Sequence, residues 1–260
     1  MDFKNKTALI TGASSGIGAA FARELAGNGA NLILVARRID RLNQLSAELS
    51  ERHGVRVAVI GLDLTGDASV SAIKSKVEDL GIEVDLLVNN AGFATSGGFE
   101  TEDLSKALNE IDLNVKALVS LTHAFLPTML KKRYGAVINV ASTAAFQPVP
   151  TMAVYGATKA FVLSFSEALW AEFEDRGVRV LALCPGGTET EFFEVAGSKG
   201  TGSKRETADQ VVKVALAELS SKVMKPSVVS GSRNKVLAFV PRIVSRAVMS
   251  KLSRKAMTRN

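Results

Sequence analysis

The chain of 260 residues carries one cysteine, Cys184, which excludes an internal disulfide and suits a reducing compartment. Cys184 follows Leu181-Ala182-Leu183 and reads as a buried strand-end thiol rather than a nucleophile. No apolar run approaches the ~18 residues that a membrane-spanning helix needs. No secretory leader is evident, because an apolar strand pattern follows directly on Met1-Asp2-Phe3-Lys4. A cytoplasmic protein is therefore expected. Linkers and internal repeats are also missing. One domain with a large core is expected from 47% hydrophobic content.

Acidic residues are absent beyond Glu218, where ten basic residues follow: Lys222, Lys225, Arg233, Lys235, Arg242, Arg246, Lys251, Arg254, Lys255 and Arg259. Without those ten, 22 basic residues face 26 acidic ones, so the body is mildly acidic and the tail strongly basic. The body shows no basic patch, and nucleic acid is not expected as a partner.

What is present is alternation. Short runs of Val, Ile, Leu and Ala at 7–10, 31–36, 55–62, 84–88, 136–141, 178–184 and 227–230 predict strands. Amphipathic segments at 17–27, 38–53, 68–80, 104–132, 153–176 and 207–221 predict helices. Strand and helix repeated in this way predict an α/β fold: a doubly wound parallel sheet of about seven strands with helices on both faces. Ligands bind such sheets beyond the carboxyl ends of the strands.

The first strand runs into Thr11-Gly12-Ala13-Ser14-Ser15-Gly16-Ile17-Gly18, and a helix follows. Glycines allow the tight turn and close main-chain approach to a pyrophosphate, and the helix N-terminus favours the anion. Gly12, Ser14, Ser15, Gly16, Ile17 and Gly18 form the expected phosphate cradle. No acid ends the second strand; Arg37-Arg38 stands there instead. An acid would accept from the adenosine ribose, whereas the planar fork of Arg37 suits a 2′-phosphate. NADP(H) is thus expected over NAD(H).

Asn139-Val140-Ala141-Ser142-Thr143 lies at the end of the fifth strand, and Tyr155-Gly156-Ala157-Thr158-Lys159 opens a long helix. A spacing of four puts Tyr155 and Lys159 on one helix face. A nearby ammonium lowers a tyrosine from its ordinary value near ~10. Such a tyrosine donates a proton to a developing alkoxide and accepts one in reverse. Ser142 can hold the same oxygen. Nothing in the pattern calls for a metal.

With Thr11-Gly12, Gly16 and Gly18, Asn89-Asn90-Ala91-Gly92, Asn114, Ser142, Tyr155 with Lys159, and Pro185-Gly186, the chain resembles short-chain dehydrogenases/reductases. The likeness is to the compact, single-domain type in its NADPH-preferring branch, and it runs from about residue 3 to 231. It implies a Rossmann-like fold, with Asp63 and Leu64 on the adenine and Asn90, Ala91 and Gly92 along the cofactor. It implies that Lys159 hydrogen-bonds the nicotinamide ribose and that Asn114 holds a water joining Lys159 to a proton relay. Tyr155 also belongs to the cofactor's surroundings. Pro185, Gly186, Thr188 and Thr190 are implied to cover the carboxamide. The long helices at 104–132 and 153–176 resemble those that pair subunits in the family, so a homodimer or homotetramer is expected.

The segment 187–206 is rich in Gly, Ser, Thr and Lys and is expected to act as a lid, with 197–204 mobile. Phe93, Phe146, Val149, Met152 and Phe192-Phe193 are expected to make the substrate pocket apolar, with Ser142 and Tyr155 at its reactive end. A catalytic domain of 1–232 then continues into a basic helical extension, 233–260. Its apolar arc of Ile243, Val244, Ala247, Val248 and Leu252 suits either peripheral contact with an anionic membrane surface or packing against the body or a partner subunit. The expected activity is NADP(H)-dependent interconversion of a carbonyl and a secondary alcohol on an apolar or acyl-chain substrate. The alternative is an NADP-binding redox sensor with little turnover.

Overall fold

The computed structural model describes residues 1–196 and 205–257. The expected mobility of 197–204 lies outside the described residues. Seven strands form one sheet: β1 (Thr7–Thr11), β2 (Asn31–Ala36), β3 (Val57–Gly61), β4 (Leu86–Asn89), β5 (Gly135–Val140), β6 (Val178–Cys184) and β7 (Ser227–Val229). All neighbours are parallel, in the order β3-β2-β1-β4-β5-β6-β7. The doubly wound sheet is the one expected.

Alternation within the strands explains why both faces are covered. Ile10, Leu32, Leu34, Leu86 and Val88 pack to one side with Phe21 and Leu25 of α1 (Gly16–Gly27) and Leu42 of α2 (Ile39–His53). Leu9, Ile33, Val35 and Leu87 pack to the other, with Ile73 of α3 (Ser69–Asp79) and Phe125 and Met129 of α5 (Leu118–Lys132). Every second side chain points the opposite way, so near-continuous apolar runs serve two cores at once. Asp85 ties the lower edge: it accepts from the Thr7 N–H at 3.0 Å and pairs with Lys132 at 2.7 Å.

The helix expected over 104–132 is interrupted. α4 (Leu104–Ile111) passes into a π-helical segment, Asp112–Ala117, before α5 begins. The extra residue per turn re-aims side chains, and such segments gather at functional sites. Here the buried Asn114 sits within it. α6 (Ala153–Phe173) follows β5 and a short turn. After β6 come α7 (Phe192–Val195) and α8 (Ala208–Leu219), the latter opened by a capping box between Thr207 and Gln210.

The extension forms α9 (Ser232–Phe239), a 3-10 turn with Pro241 in its first turn, and α10 (Arg246–Met257). α9 is tied to the body. Asn234 donates to Glu206 Oε2 at 3.0 Å and to the Ser230 carbonyl at 2.9 Å, and Ser230 donates to the same Glu206 oxygen at 2.8 Å. The break placed between 232 and 233 thus falls at the first turn of a helix attached to the catalytic body.

A buried chain of amides and hydroxyls crosses beneath the site. Asn89 donates to Thr122 Oγ1 at 3.0 Å and to Asn139 Oδ1 at 2.8 Å, and Asn139 donates to Ser166 Oγ at 2.9 Å. Thr122 and Ser166 pass their protons to carbonyls of their own helices, those of Leu118 and Val162. The chain joins α5, β4, β5 and α6. Asn139→Ala removes its centre and takes one hydrogen bond each from the buried Asn89 amide and Ser166 hydroxyl. A loss of about 2–3 kcal/mol is expected, read as a fall in the urea midpoint at unchanged slope. An unchanged midpoint would show that the chain contributes nothing to stability.

Candidate active site

Strand order reverses between β1 and β4, which opens a crevice at that junction. A cleft of about 880 Å³ lies there. Its walls come from the residues that follow six successive strands: 12, 14–17, 37–38, 62–65, 90–93, 141–144 and 185–188.

Thr11 and Asn90 hold the junction together. Thr11 Oγ1 accepts from the N–H groups of Asn90 at 2.9 Å and Ala91 at 3.0 Å. Asn90 Nδ2 donates to the Thr11 carbonyl at 2.9 Å. Gly12 turns with φ +65°, a conformation that side chains disfavour. Gly18 admits close contact: a Cβ there would lie 2.4 Å from the Gly12 carbonyl oxygen. Ser15 caps α1 without placing its side chain on the first-turn N–H groups. A main-chain cradle with free helix N–H groups fits a dinucleotide pyrophosphate. Ser14, Ser15, Gly16 and Ile17 line the cleft, while Gly18 is packed behind the loop.

The two arginines after β2 behave differently from one another. Arg37 is 77% exposed and reaches Asp63 at 3.7 Å. Asp63 accepts from the Thr65 N–H and hydroxyl, and these bonds, with the Arg37 charge, hold its carboxyl below the usual range. Arg38 lies against the phosphate loop, donating to Ser14 Oγ at 3.1 Å and Ser15 Oγ at 2.7 Å. It also meets Glu191 at 2.7 Å, rather than an acid of the following helix. Both arginines, Asp63 and Leu64 line the cleft.

Ser142, Tyr155 and Lys159 come together as the motifs predict, at the other end of the cleft. Ser142 Oγ accepts from the Ala144 N–H at 3.1 Å, which locks its rotamer at the strand end. Tyr155 is 8% exposed and Lys159 5%. Burial pushes the phenol up to about 12, opposed by a hydrogen bond from Ser142. Burial pulls the Lys159 ammonium down to about 8, opposed by the charge of Glu110. The Tyr155 phenol is therefore raised rather than lowered in this arrangement. The Lys159 Nζ lies 5.8 Å from the Tyr155 ring centre and donates to the Val140 carbonyl at 2.8 Å. Desolvation outweighs a charge held at that distance.

Asn114 spends its amide on protein. It accepts from the Phe93 N–H at 3.1 Å and donates to the Phe93 carbonyl at 2.9 Å and Thr158 Oγ1 at 3.2 Å. The side chain fixes the loop after β4 beside the catalytic helix and lies behind the cleft wall. Glu110, one turn earlier, is fully buried and accepts from the Thr95 N–H at 2.9 Å and hydroxyl at 2.7 Å. Burial raises its carboxyl. Its position four residues before Asn114 was the one sequence signal that it faces the same way.

Pro185, Gly186, Thr188 and Thr190 border the cleft, as do Ala91 and Gly92. Thr188 donates to the Gly186 carbonyl at 3.1 Å, and Thr143 N–H donates to that of Pro185 at 2.8 Å. Phe93, Val149, Met152 and Phe192 form an apolar wall, with the Phe192 ring 5.4 Å from that of Tyr155. Phe146 is placed elsewhere. It packs with Leu118, Val162 and Cys184, because a 3-10 turn over Thr143–Phe146 directs its ring into that cluster. The Phe193 side chain lies outside the described residues. Cys184 is buried at the end of β6, where burial pushes its thiol up to about 12. Among the described residues, no group of three or more His, Cys, Asp or Glu could hold a metal.

A family model for short chain dehydrogenase matches residues 6–200. The chain belongs to the short-chain dehydrogenase/reductase family. It is an oxidoreductase of that family, built around a nicotinamide-dinucleotide cleft. Sulfoacetaldehyde reductase 2 of Chromohalobacter salexigens is 41% identical over 203 residues, covering 77% of this chain and 78% of that protein. The 17-beta-hydroxysteroid dehydrogenase type 3 of Mus musculus is 35% identical, covering 80% of this chain and 67% of its own. A solved short-chain dehydrogenase from Sphingobium yanoikuyae, in complex with NADPH, superposes with a TM-score of 0.79 at 38% identity. That likeness covers 86% of this chain and 87% of the other.

Lys159 sets a pH limit. Tyr155, raised to about 12, keeps its proton through the neutral range, while Lys159, lowered to about 8, loses its own first. Because kcat/KM reports the free enzyme, carbonyl reduction should fall as pH rises through that value. Lys159→Met removes the titrating group, so its residual kcat/KM should be flat from pH 7 to 9, in about that window. The same falling limb in the variant would assign the titration to another group.

Proposed function

We propose that this short-chain dehydrogenase/reductase interconverts a carbonyl and a secondary alcohol with NADP(H), on a substrate with an apolar or acyl chain. One observation carries the reading. The cluster of Ser142 with the buried Tyr155 and Lys159 joins an apolar wall of Phe93, Val149, Met152 and Phe192 to a cleft whose far end holds Arg37 and Arg38. A bound nicotinamide supplies or removes the hydride. Ser142 orients the substrate oxygen. The Tyr155 hydroxyl gives its proton as that oxygen gains negative charge, and takes one back in the oxidative direction. Lys159 places a positive charge beside the tyrosine, where exclusion of water strengthens it. Asn114 holds the loop after β4 beside the catalytic helix, and the proposal keeps it as the residue that joins Lys159 to a proton relay.

The two relatives compared above are named for an aldehyde reductase and a hydroxysteroid dehydrogenase. The apolar wall favours the bulkier, apolar class here. The exposed Leu104, Leu108 and Ile111 of α4 and Phe161 of α6 support pairing of subunits through these helices in a homodimer or homotetramer.

A panel of apolar ketones and 3-oxoacyl thioesters tests the activity, scored by loss of reduced nicotinamide absorbance with NADPH. Turnover is expected with at least one class. Tyr155→Phe should lower it by about 10²–10⁴-fold with cofactor affinity unchanged. Tight cofactor binding without turnover on any substrate would instead favour the redox sensor.

The extension supports a second reading: peripheral contact of a cytoplasmic protein with an anionic membrane. Val236, Phe239 and Ile243 are exposed on the same short stretch as Arg233, Lys235, Arg242 and Arg246, and Ile243 is 71% exposed. Apolar side chains next to bases combine insertion with charge attraction. Full-length protein should co-sediment with anionic vesicles at low salt and be released by high salt. Failure to pellet with anionic vesicles at low salt removes this reading.

A further inference from the structure

The segment that follows β6 leaves β6 beside Thr143, reaches the phosphate loop at Thr190 and Glu191, and meets Tyr155 at Phe192. Glu191 lies in it and bridges two guanidinium groups. Its Oε2 meets Arg38 Nη1 at 2.7 Å and its Oε1 meets Arg41 Nη1 at 2.6 Å. Arg38 at the same time reaches Ser14 and Ser15 of the phosphate loop. Thr190 rests against that loop, 3.0 Å from where a Cβ on Gly16 would stand. Phe192 follows directly and packs on Tyr155. One carboxylate thus fastens a strip of chain that touches both ends of the cleft.

Two arginine forks on one anion make a donor set that serves a carboxylate or a phosphate. A phosphate monoester carries more charge and a third acceptor oxygen. The ion pairs are partly open to water, with Arg38 44%, Arg41 47% and Glu191 40% exposed. Pairs of that exposure are weak enough to be exchanged. The two arginines hold the Glu191 carboxyl down at about 2, so it stays ionised at any working pH.

We propose that Glu191 competes with the 2′-phosphate of NADP(H) for Arg38 and Arg41. The inference rests on the NADP(H) reading above. A ligand with the 2′-phosphate displaces the carboxylate and frees the 188–196 strip at that point. A ligand without it leaves the strip fastened. Glu191 is then a specificity-determining residue: it weakens a contact that, beside that of Arg37, distinguishes the two cofactors, and it couples that contact to the segment covering Tyr155.

The test is calorimetric titration of full-length protein with adenosine 2′,5′-bisphosphate and with 5′-AMP, which needs no turnover. Glu191→Gln is expected to bind the bisphosphate about three- to tenfold more tightly than wild type, the range set by two exposed ion pairs, with 5′-AMP unchanged. Glu189→Gln, which removes a charge two residues away, should change neither affinity. Wild type that prefers the bisphosphate while Glu191→Gln binds it no more tightly overturns the competition and leaves the NADP(H) reading intact. Equal tightening for both ligands, or equal tightening in Glu189→Gln, also overturns it, by showing an effect of cleft opening or of general charge. If neither wild type nor Glu191→Gln prefers the bisphosphate to 5′-AMP, the NADP(H) reading fails and the inference falls with it.

Discussion

The junction of β1 with β4 is the constraint on which the site depends. Two parallel strands that part company at their carboxyl ends leave a crevice, and something must close its floor. Thr11 and Asn90 do so with their side chains, each of which bonds main-chain groups on the other side of the gap. Gly12 turns away from that clamp, and Gly18 lets α1 descend onto it. The dinucleotide cradle is therefore a consequence of how two strand ends are tied, and every other cleft residue is referenced to that tie.

Burial governs the chemistry at the opposite end. Tyr155 and Lys159 sit at the base of the cleft on α6, over the amide and hydroxyl chain that runs from Thr122 through Asn89 and Asn139 to Ser166. The tyrosine stays protonated, and the lysine lies close to losing its charge at neutral pH. Such a pair is poised by desolvation: small added charges, from Glu110 or from a bound ligand, act strongly in a medium that screens them poorly. The π-helical segment serves the same end, since it turns Asn114 inward to hold the loop beside the lysine. Both features place polar side chains where water is excluded and tie each of those side chains to a neighbouring element.

Much of this was legible in the sequence. Near-continuous Val, Ile and Leu runs between amphipathic segments allow few architectures, and the parallel sheet follows. The glycine turn and the Tyr155–Lys159 spacing depend on neighbours within a few residues, and local spacing survives folding. The break in the helix over 104–132 leaves no such mark: an apolar period does not register one extra residue, so the π segment is invisible in the sequence. Phe146 carried no mark to separate a pocket ring from a core ring, because both are apolar.

What the sequence determined by itself was local: strand and helix periods, the cradle, the Tyr155–Lys159 pair, a basic extension and two adjacent arginines after β2. Tertiary structure alone decided which arginine faces the phosphate loop, that Glu191 meets Arg38 and Arg41, and that Asn234 fastens the extension to Glu206. It also decided the protonation of the catalytic pair. These are contacts between residues far apart in the chain, or effects of solvent removed by many residues together. Neither leaves a trace in the spacing of neighbours, because both are set by where the folded chain returns upon itself.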